Sequence, residues 1–323
     1  MAPDSFPLVT VITPAYNRAD YLEEVIRSVL AQDYPNLEYI VLNDGSTDGT
    51  PEILKRYEGR IVAESHRNMG ETGTVNKGFR MAQGEIVGVV NSDDPILPGA
   101  VRRSVETLQS DRDFLVAYPD WNMIDARGEI LRTVRTHEYA YLDMLRWHHC
   151  VPGPGAFFRR EVIERLEGRD PQFRYVADFD FWLRAGLLGP FRRIPETLAT
   201  FRLHTGGATL SGQGARMAEE HICLVKKIFG LPGLPEAVRA VRREAFSSAH
   251  YVAGCVVGND PPLARKRYFL AALLYCPAKH LSEYRGRLSH IADELRGGWL
   301  GHLKGGLKAA WRIVGRSRGR EAG

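Results

Sequence analysis

Cysteine is scarce in this 323-residue chain, and the four residues present, Cys150, Cys223, Cys255 and Cys276, show no Cys-x-x-Cys spacing. That excludes a disulfide framework or a thiolate zinc site, and reduced thiols in a cytoplasmic protein are expected. A glycine-rich phosphate loop is also missing. Gly45 and Gly49 do not complete Gly-x-Gly-x-x-Gly, and no Gly-Lys-Ser/Thr occurs, so the dinucleotide-binding and P-loop readings fall away. No apolar run approaches the ~20 residues that cross a bilayer. The N-terminus has no basic segment followed by an apolar stretch, so no signal peptide is expected. There is no internal repeat, and no general excess of one charge. The net +4 comes from the tail, where Arg296, Lys304, Lys308, Arg312, Arg316, Arg318 and Arg320 stand without an acid among them; without these seven, 36 basic residues face 39 acidic ones. That argues against nucleic acid as a partner of the body of the chain and points to a local anionic partner for its end.

What is present is alternation. Leu8 to Thr13 is a short β-branched strand, and Tyr21, Leu22, Val25, Ile26, Val29 and Leu30 then recur at helical spacing. Asp20 followed by Glu23 predicts a capping box at the start of that helix. Leu37–Leu42 is a second strand, and Thr50-Pro51 reads as N-cap and first residue of a second helix. A third strand is expected over 60–63, a third helix over 72–81 and a fourth strand over 85–90. Such β-α-β-α order implies a mostly parallel sheet flanked by helices, with its ligand crevice beyond the carboxyl ends of the strands. Beyond about Asp111 the pattern becomes irregular. Trp121 to Val134 reads as a hairpin turning at Ala126-Arg127-Gly128, and from about Gly214 onward the chain reads as helical.

Four loops after strands converge on one rim: Thr13 to Asn17, Asp44 to Asp48, His66 to Gly70 and Asn91-Ser92-Asp93-Asp94. Two adjacent carboxylates at the mouth of a sheet cost free energy unless a cation or ordered donors compensate them. Alone, Asp93 and Asp94 read as a cap for the helix starting near Pro98. On a rim shared with the other loops they read as ligands for a hard divalent ion, Mg²⁺ or Mn²⁺, which bridges carboxylates to phosphates. Asp44 suits hydrogen bonding to a base or ribose, or an Asx-turn before Gly45.

The ordered set of motifs resembles the family 2 glycosyltransferases of GT-A fold. It comprises Val11 to Asn17, Ser28 to Pro35, Glu38 to Thr50, Asn68-Met69-Gly70, Asn76-Lys77-Gly78, Gly84-Glu85-Ile86, Asn91 to Asp94, Asp178 to Arg184 and Phe201 to His204, spanning residues 7–211. The resemblance implies an inverting transfer of a sugar from a nucleotide-diphosphate donor, a UDP-sugar, to a hydroxyl of a glycan or lipid-linked saccharide in cell-surface polysaccharide synthesis. It implies that Thr13, Pro14, Ala15, Tyr16 and Asp44 line the base pocket, that Arg67 flanks the nucleotide, and that Asp93 meets ribose or metal. Asp94 becomes the main ligand of Mn²⁺ or Mg²⁺, His204 completes the metal or diphosphate site, and Asp178 is the base. The chemistry agrees: inversion needs one base for the acceptor hydroxyl and charge stabilisation on the departing diphosphate. Asn91 stands where many members carry a third aspartate. Ala177 stands where glutamate usually precedes the base, which leaves Asp180 beside Asp178 as a candidate.

The expected layout is a nucleotide-sugar half over 1–111, an acceptor-binding and catalytic half over 112–213, and a helical region over 214–323. The tract Trp147-His148-His149-Cys150 invites a metal reading, but adjacent histidines point apart, and it reads as loop or acceptor-cleft material. In the tail, Leu300, Leu303, Leu307, Trp311 and Val314 share one helical face beside Lys304, Lys308 and Arg312. That face suits either an anionic membrane surface, on the inner side of the cell membrane, or the chain's own helices. Two other readings remain: a catalytically silent nucleotide-sugar-binding scaffold, and a sugar nucleotidyltransferase. The latter needs a glycine- and arginine-rich loop near the N-terminus that Thr13 to Arg18 does not provide.

Overall fold

A computed structural model describes residues 6–206, 214–257 and 262–275. The chain forms two compact units, one from Met1–Tyr139 with Val151–Gly207 and the other from Ala140–Cys150 with Ala208–Gly323. The basic amphipathic tail lies outside the described residues.

The first unit is built on one sheet. Strands β1 (Val9–Ala15), β2 (Leu37–Asn43), β3 (Val62–Ser65) and β4 (Ile86–Val89) lie parallel in the order β3-β2-β1-β4. Every residue of β1 is buried, as expected of a parallel strand covered on both faces. Helices α1 (Leu22–Leu30), α2 (Thr50–Arg56), α3 (Gly70–Met81) and α4 (Ala100–Ser110) alternate with these strands. The apolar face of α1 is the one the spacing predicts: Leu22, Val25, Ile26 and Val29 are buried against Val11, Val41 and Phe157 in one core. Each such side chain contributes about 1.5–3 kcal/mol.

The predicted cap of α1 does not form. Tyr21 occupies the cap position and makes no side-chain bond. A turn ending in Tyr21 and Leu22 N–H bonds to Arg18 O leads into the helix instead. Asp48, not Asp20, receives the Ala19 N–H (2.9 Å), and its other oxygen receives the Thr50 N–H (3.0 Å). Asp48 thereby ties the loops after β1 and β2 together.

Past α4 the sheet changes direction. β5 (Val116–Ile124) and β6 (Ile130–Val134) form the expected hairpin, with Gly128 at φ 87°. Next, β7 (Phe157–Arg159) inserts antiparallel between β4 and β5, and β8 (Phe191–Arg202) runs parallel to β5. Between them, α6 (Glu161–Leu166) and α7 (Ala177–Gly186) cover the sheet. Phe158, Phe181 and Trp182 pack edge to face with centroids 5.1–5.5 Å apart. The aromatic residues of α7 are therefore core.

The described residues of the second unit are helical, with α5 (Tyr141–Trp147), α8 (Gly214–Gly230), α9 (Glu236–Ala240), α10 (Arg242–Val256) and α11 (Pro262–Tyr275). The stretch 140–150 thus belongs with the helices rather than with the sheet that flanks it in sequence. His148 caps α5 at φ 50°, and its Nε2 meets His221 Nδ1 of α8 at 2.8 Å. Burial pushes the His221 imidazole down to about 4. A base with a depressed folded pKa takes up its proton more readily when unfolded. The second unit is therefore expected to lose stability as pH falls from about 6.5 towards 4, on the order of 2 kcal/mol. Urea unfolding at pH 7 and pH 4.5 reads this, and His221→Gln should flatten the difference.

Candidate active site

The rim at the carboxyl ends of β1, β2 and β4 collects the predicted residues, and their side chains divide into structural and open ones. Thr13, Pro14 and Ala15 are buried strand residues, and the Thr13 hydroxyl bonds the Tyr39 hydroxyl (3.1 Å) within the sheet. Tyr16 presents its ring, 47% exposed, and Arg67 is exposed as well.

Asp44 is buried. Its Oδ1 accepts the Met69 N–H (2.7 Å), its Oδ2 the Gly70 N–H (3.0 Å), and His66 Nδ1 lies 3.5 Å from Oδ1. A carboxylate has about four lone-pair sites, so these bonds leave acceptor capacity facing the rim. The chain can approach so closely only because Gly45, at φ 73°, has no side chain; a Cβ there would stand 2.9 Å from the Asn68 nitrogen.

Asp93 and Asp94 part company. They follow β4 in an irregular loop, and α4 begins six residues after Asp94 with Gly99 at its cap and no side-chain cap bond. Neither aspartate caps it. Asp94 is buried; its Oδ1 accepts the Arg202 N–H (2.7 Å) and its Oδ2 the Asn91 side-chain amide (3.0 Å). Burial first, and then the neighbouring Asp93 charge, hold the Asp94 carboxyl well above the usual carboxylate range despite these donors. Asp93 faces the opposite way. Its Oδ2 meets Arg18 Nε at 3.1 Å and His204 Nε2 at 3.0 Å.

His204 is held by what surrounds β8. Its ring leans on Tyr21 (4.8 Å between centroids), and the Arg202 guanidinium lies over the Tyr21 ring at 4.8 Å. Arg202, whose side chain is 1% exposed, also pairs with Glu24 (2.6 Å) and donates to Asp93 O (2.9 Å). Among the described residues no three His, Cys, Asp or Glu gather as a complete metal cage.

Asp178 and Asp180 are likewise separated by burial. Asp180 is fully buried and paired with Arg184 at 2.8 Å, and Arg184 also donates to Leu166 O and Gly168 O. Asp178 sits exposed in the first turn of α7 and accepts the Phe179 N–H (2.7 Å). Helix α3 sets the position of this turn. Thr72 Oγ1 donates to Phe173 O (2.9 Å), and the Asn76 amide clamps Arg169 at both its N–H (2.8 Å) and its C=O (2.7 Å).

Sequence reading missed three residues here: Arg18, Glu71 and Arg169. Glu71, in the first turn of α3, pairs with Arg169 at 3.1 Å and keeps 52% of its side chain exposed. Burial of the carboxyl, opposed by Arg169 and reinforced by Asp178 and Asp93, holds Glu71 above the usual carboxylate range, softened by the solvent it still meets. The Glu71 carboxyl feels the charges of both Asp178 and Asp93. The only signal in the sequence was an acid placed next to Asn68-Met69-Gly70.

A profile described as glycosyl transferase family 2 matches residues 10–167. Residues 10–167 thus form a glycosyltransferase family 2 domain. An uncharacterized glycosyltransferase of Nostoc is 29% identical over 227 residues, covering 66% of this chain and 70% of that protein. Among solved structures, Staphylococcus aureus TarS in complex with UDP-GlcNAc superposes with a TM-score of 0.66 at 17% identity, over 90% of this chain and 89% of that one. The mannosyltransferase PcManGT of Pyrobaculum calidifontis, in complex with GDP-Man and Mn²⁺, gives 0.59 at 20% identity over 98% and 89%. At such identities the likeness is one of fold, and the fold is GT-A. The motif Asn68-Met69-Gly70 thus opens α3, the helix that carries Glu71, and Asn76-Lys77-Gly78 lies within it.

Proposed function

We propose that this glycosyltransferase moves a sugar from a UDP-sugar to a saccharide hydroxyl with inversion, using Asp178 as base and Asp93 with His204 as the site of a divalent ion. The observation that supports this reading is the Asp93–His204 pair, a carboxylate and an imidazole 3.0 Å apart at the rim beyond β4, with Asp178 as the exposed carboxylate of α7. A carboxylate and an imidazole nitrogen fit Mn²⁺ or Mg²⁺, which commonly complete their shells with water and substrate phosphate. Bound there, the ion supplies charge neutralisation to the departing diphosphate. Asp94 serves to hold the Arg202 backbone and Asn91, and is buried where Asp93 keeps part of its surface open.

The base pocket follows from Asp44 and Tyr16. The Asp44 carboxylate, an acceptor only, can take the imide N–H of uracil. The exposed Tyr16 ring offers a stacking surface. TarS in complex with UDP-GlcNAc supports uracil, and the GDP-Man complex of PcManGT supports a divalent ion in this fold. Asp178 receives the acceptor proton as the hydroxyl oxygen attacks the anomeric carbon.

A thermal-shift series tests the donor. UDP-sugars with Mn²⁺ should raise Tm by several degrees through mass action, with a smaller shift without metal and none for CDP- or ADP-sugars. GDP-sugars shifting Tm more than UDP-sugars would move the donor to guanine. No shift with any nucleotide sugar would defeat the proposal.

A further inference from the structure

Arg18 stands at the mouth of the Asp93–His204 pair with no part in the reaction as described. Its Nε donates to Asp93 Oδ2, the same oxygen that His204 Nε2 meets. Among the described residues its other nitrogens reach main-chain carbonyls, those of Tyr16 (3.4 Å), Asn17 (3.1 Å) and Gly206 (3.2 Å). The backbone beneath it is fixed. Arg18 N–H donates to Thr50 Oγ1 (3.1 Å), Asn17 N–H to Ser46 Oγ (2.9 Å), and Asn17 Oδ1 accepts the Thr47 N–H (2.8 Å). Arg18 is thus a cationic arm, 22% exposed, on a rigid base with Asp93 as its ion-pair partner.

A guanidinium does not shed its proton in a protein. It and a divalent ion therefore compete for Asp93 Oδ2, because like charges at ligand distance repel in a partly desolvated site. Guanidinium is also the side chain best matched to phosphate oxygens. We infer that Arg18 is the resident cation of the donor site, neutralising Asp93 in the free enzyme and passing to the donor's diphosphate when a metal takes the carboxylate.

The charge balance gives this hand-over a purpose. As the sugar transfers, the bond from the anomeric carbon to the diphosphate oxygen breaks with its electron pair on that oxygen. A bond to the acceptor oxygen forms, and the acceptor proton goes to Asp178. The nucleoside diphosphate leaves with one more negative charge than it carried in the donor, and Arg18 is placed to meet it. The consequence is ordered binding: metal alone binds weakly, metal with nucleotide binds well.

This inference rests on the Asp93–His204 metal site, and the test separates the two. Free Mn²⁺ is counted by electron paramagnetic resonance in the full chain and in Arg18→Ala, Arg18→Gln, Arg18→Lys and Asp93→Asn, with Tm checking that each is folded. Without nucleotide, Arg18→Ala and Arg18→Gln should bind Mn²⁺ at least fivefold more tightly than the unmodified chain, and Arg18→Lys within twofold. At saturating Mn²⁺, Arg18→Ala should bind UDP at least tenfold more weakly. Asp93→Asn should lose Mn²⁺ binding; if it binds as the unmodified chain does, the metal site itself is wrong. Loss in Asp93→Asn together with unchanged or weaker Mn²⁺ binding in both neutral Arg18 variants overturns the role of Arg18 alone. Tighter Mn²⁺ binding with unchanged UDP affinity overturns the hand-over to diphosphate.

Discussion

Asp178→Asn is expected to bind a nucleotide sugar within about twofold of the unmodified enzyme and to lose on the order of 10²–10⁴ of its turnover, the usual worth of a positioned base. The substitution keeps the shape of the side chain and an oxygen for the Phe179 N–H, so α7 and its packing should be undisturbed. What disappears is the acceptor of the proton. Asp180 cannot take over, because it has no exposed surface and its charge is committed to Arg184. Asp180→Asn should show the opposite pattern. It leaves the Arg184 guanidinium, itself only 12% exposed, without its countercharge, which costs about 3–5 kcal/mol of stability and lowers the urea midpoint. Single-turnover rates and donor affinity, measured on both variants, distinguish the two. Turnover of Asp178→Asn within threefold of the unmodified enzyme would remove it as the base.

Asp93→Asn is expected to weaken Mn²⁺-dependent UDP binding by at least a hundredfold, and Asp94→Asn to change it by less than threefold. The difference follows from where the oxygens point. Asp93 Oδ2 lies against a histidine nitrogen and an exchangeable arginine, whereas Asp94 is buried and already holds the Arg202 N–H and the Asn91 amide. An asparagine at 94 can still accept the Arg202 N–H through its oxygen, and the Asn91 amide can turn to present its own oxygen to the new NH₂. Calorimetric titration of UDP with and without Mn²⁺ measures both effects. If Asp94→Asn is the variant that loses metal dependence, the ligand is Asp94, as the sequence first suggested.

The double aspartate was half legible. Val87 to Val90 reads as a buried strand, so the loop after it had to emerge at the rim, and the family motifs said which chemistry to expect there. Which of two neighbouring carboxylates faces the cleft is not written in their spacing. It is decided by β8, which brings the Arg202 N–H to Asp94 and His204 to Asp93 from more than 100 residues away. Arg202 and His204, two apart at the end of one strand, both turn toward this loop. Asp178 and Asp180 posed the same problem and were resolved the same way, by the burial of one against Arg184. Arg18 gave no signal, because its meaning depends wholly on Asp93, 75 positions on. The cap assigned to Asp20 failed for a related reason. Asp48, brought close by the pairing of β1 with β2, supplied the carboxylate that the local pattern had credited to Asp20.

By itself the sequence determined the alternation of strands and helices, the parallel core of β1 to β4, the rim on which four loops meet, and the family. These follow from local periodicity and from motifs a few residues long. The tertiary structure alone decided that β7 enters antiparallel, that 140–150 leaves the sheet for the helical unit, and which carboxylate of each pair is buried. The physical reason is the same in every case: desolvation and charge pairing are set by partners distant in sequence, and a carboxylate's chemistry is fixed by what it faces.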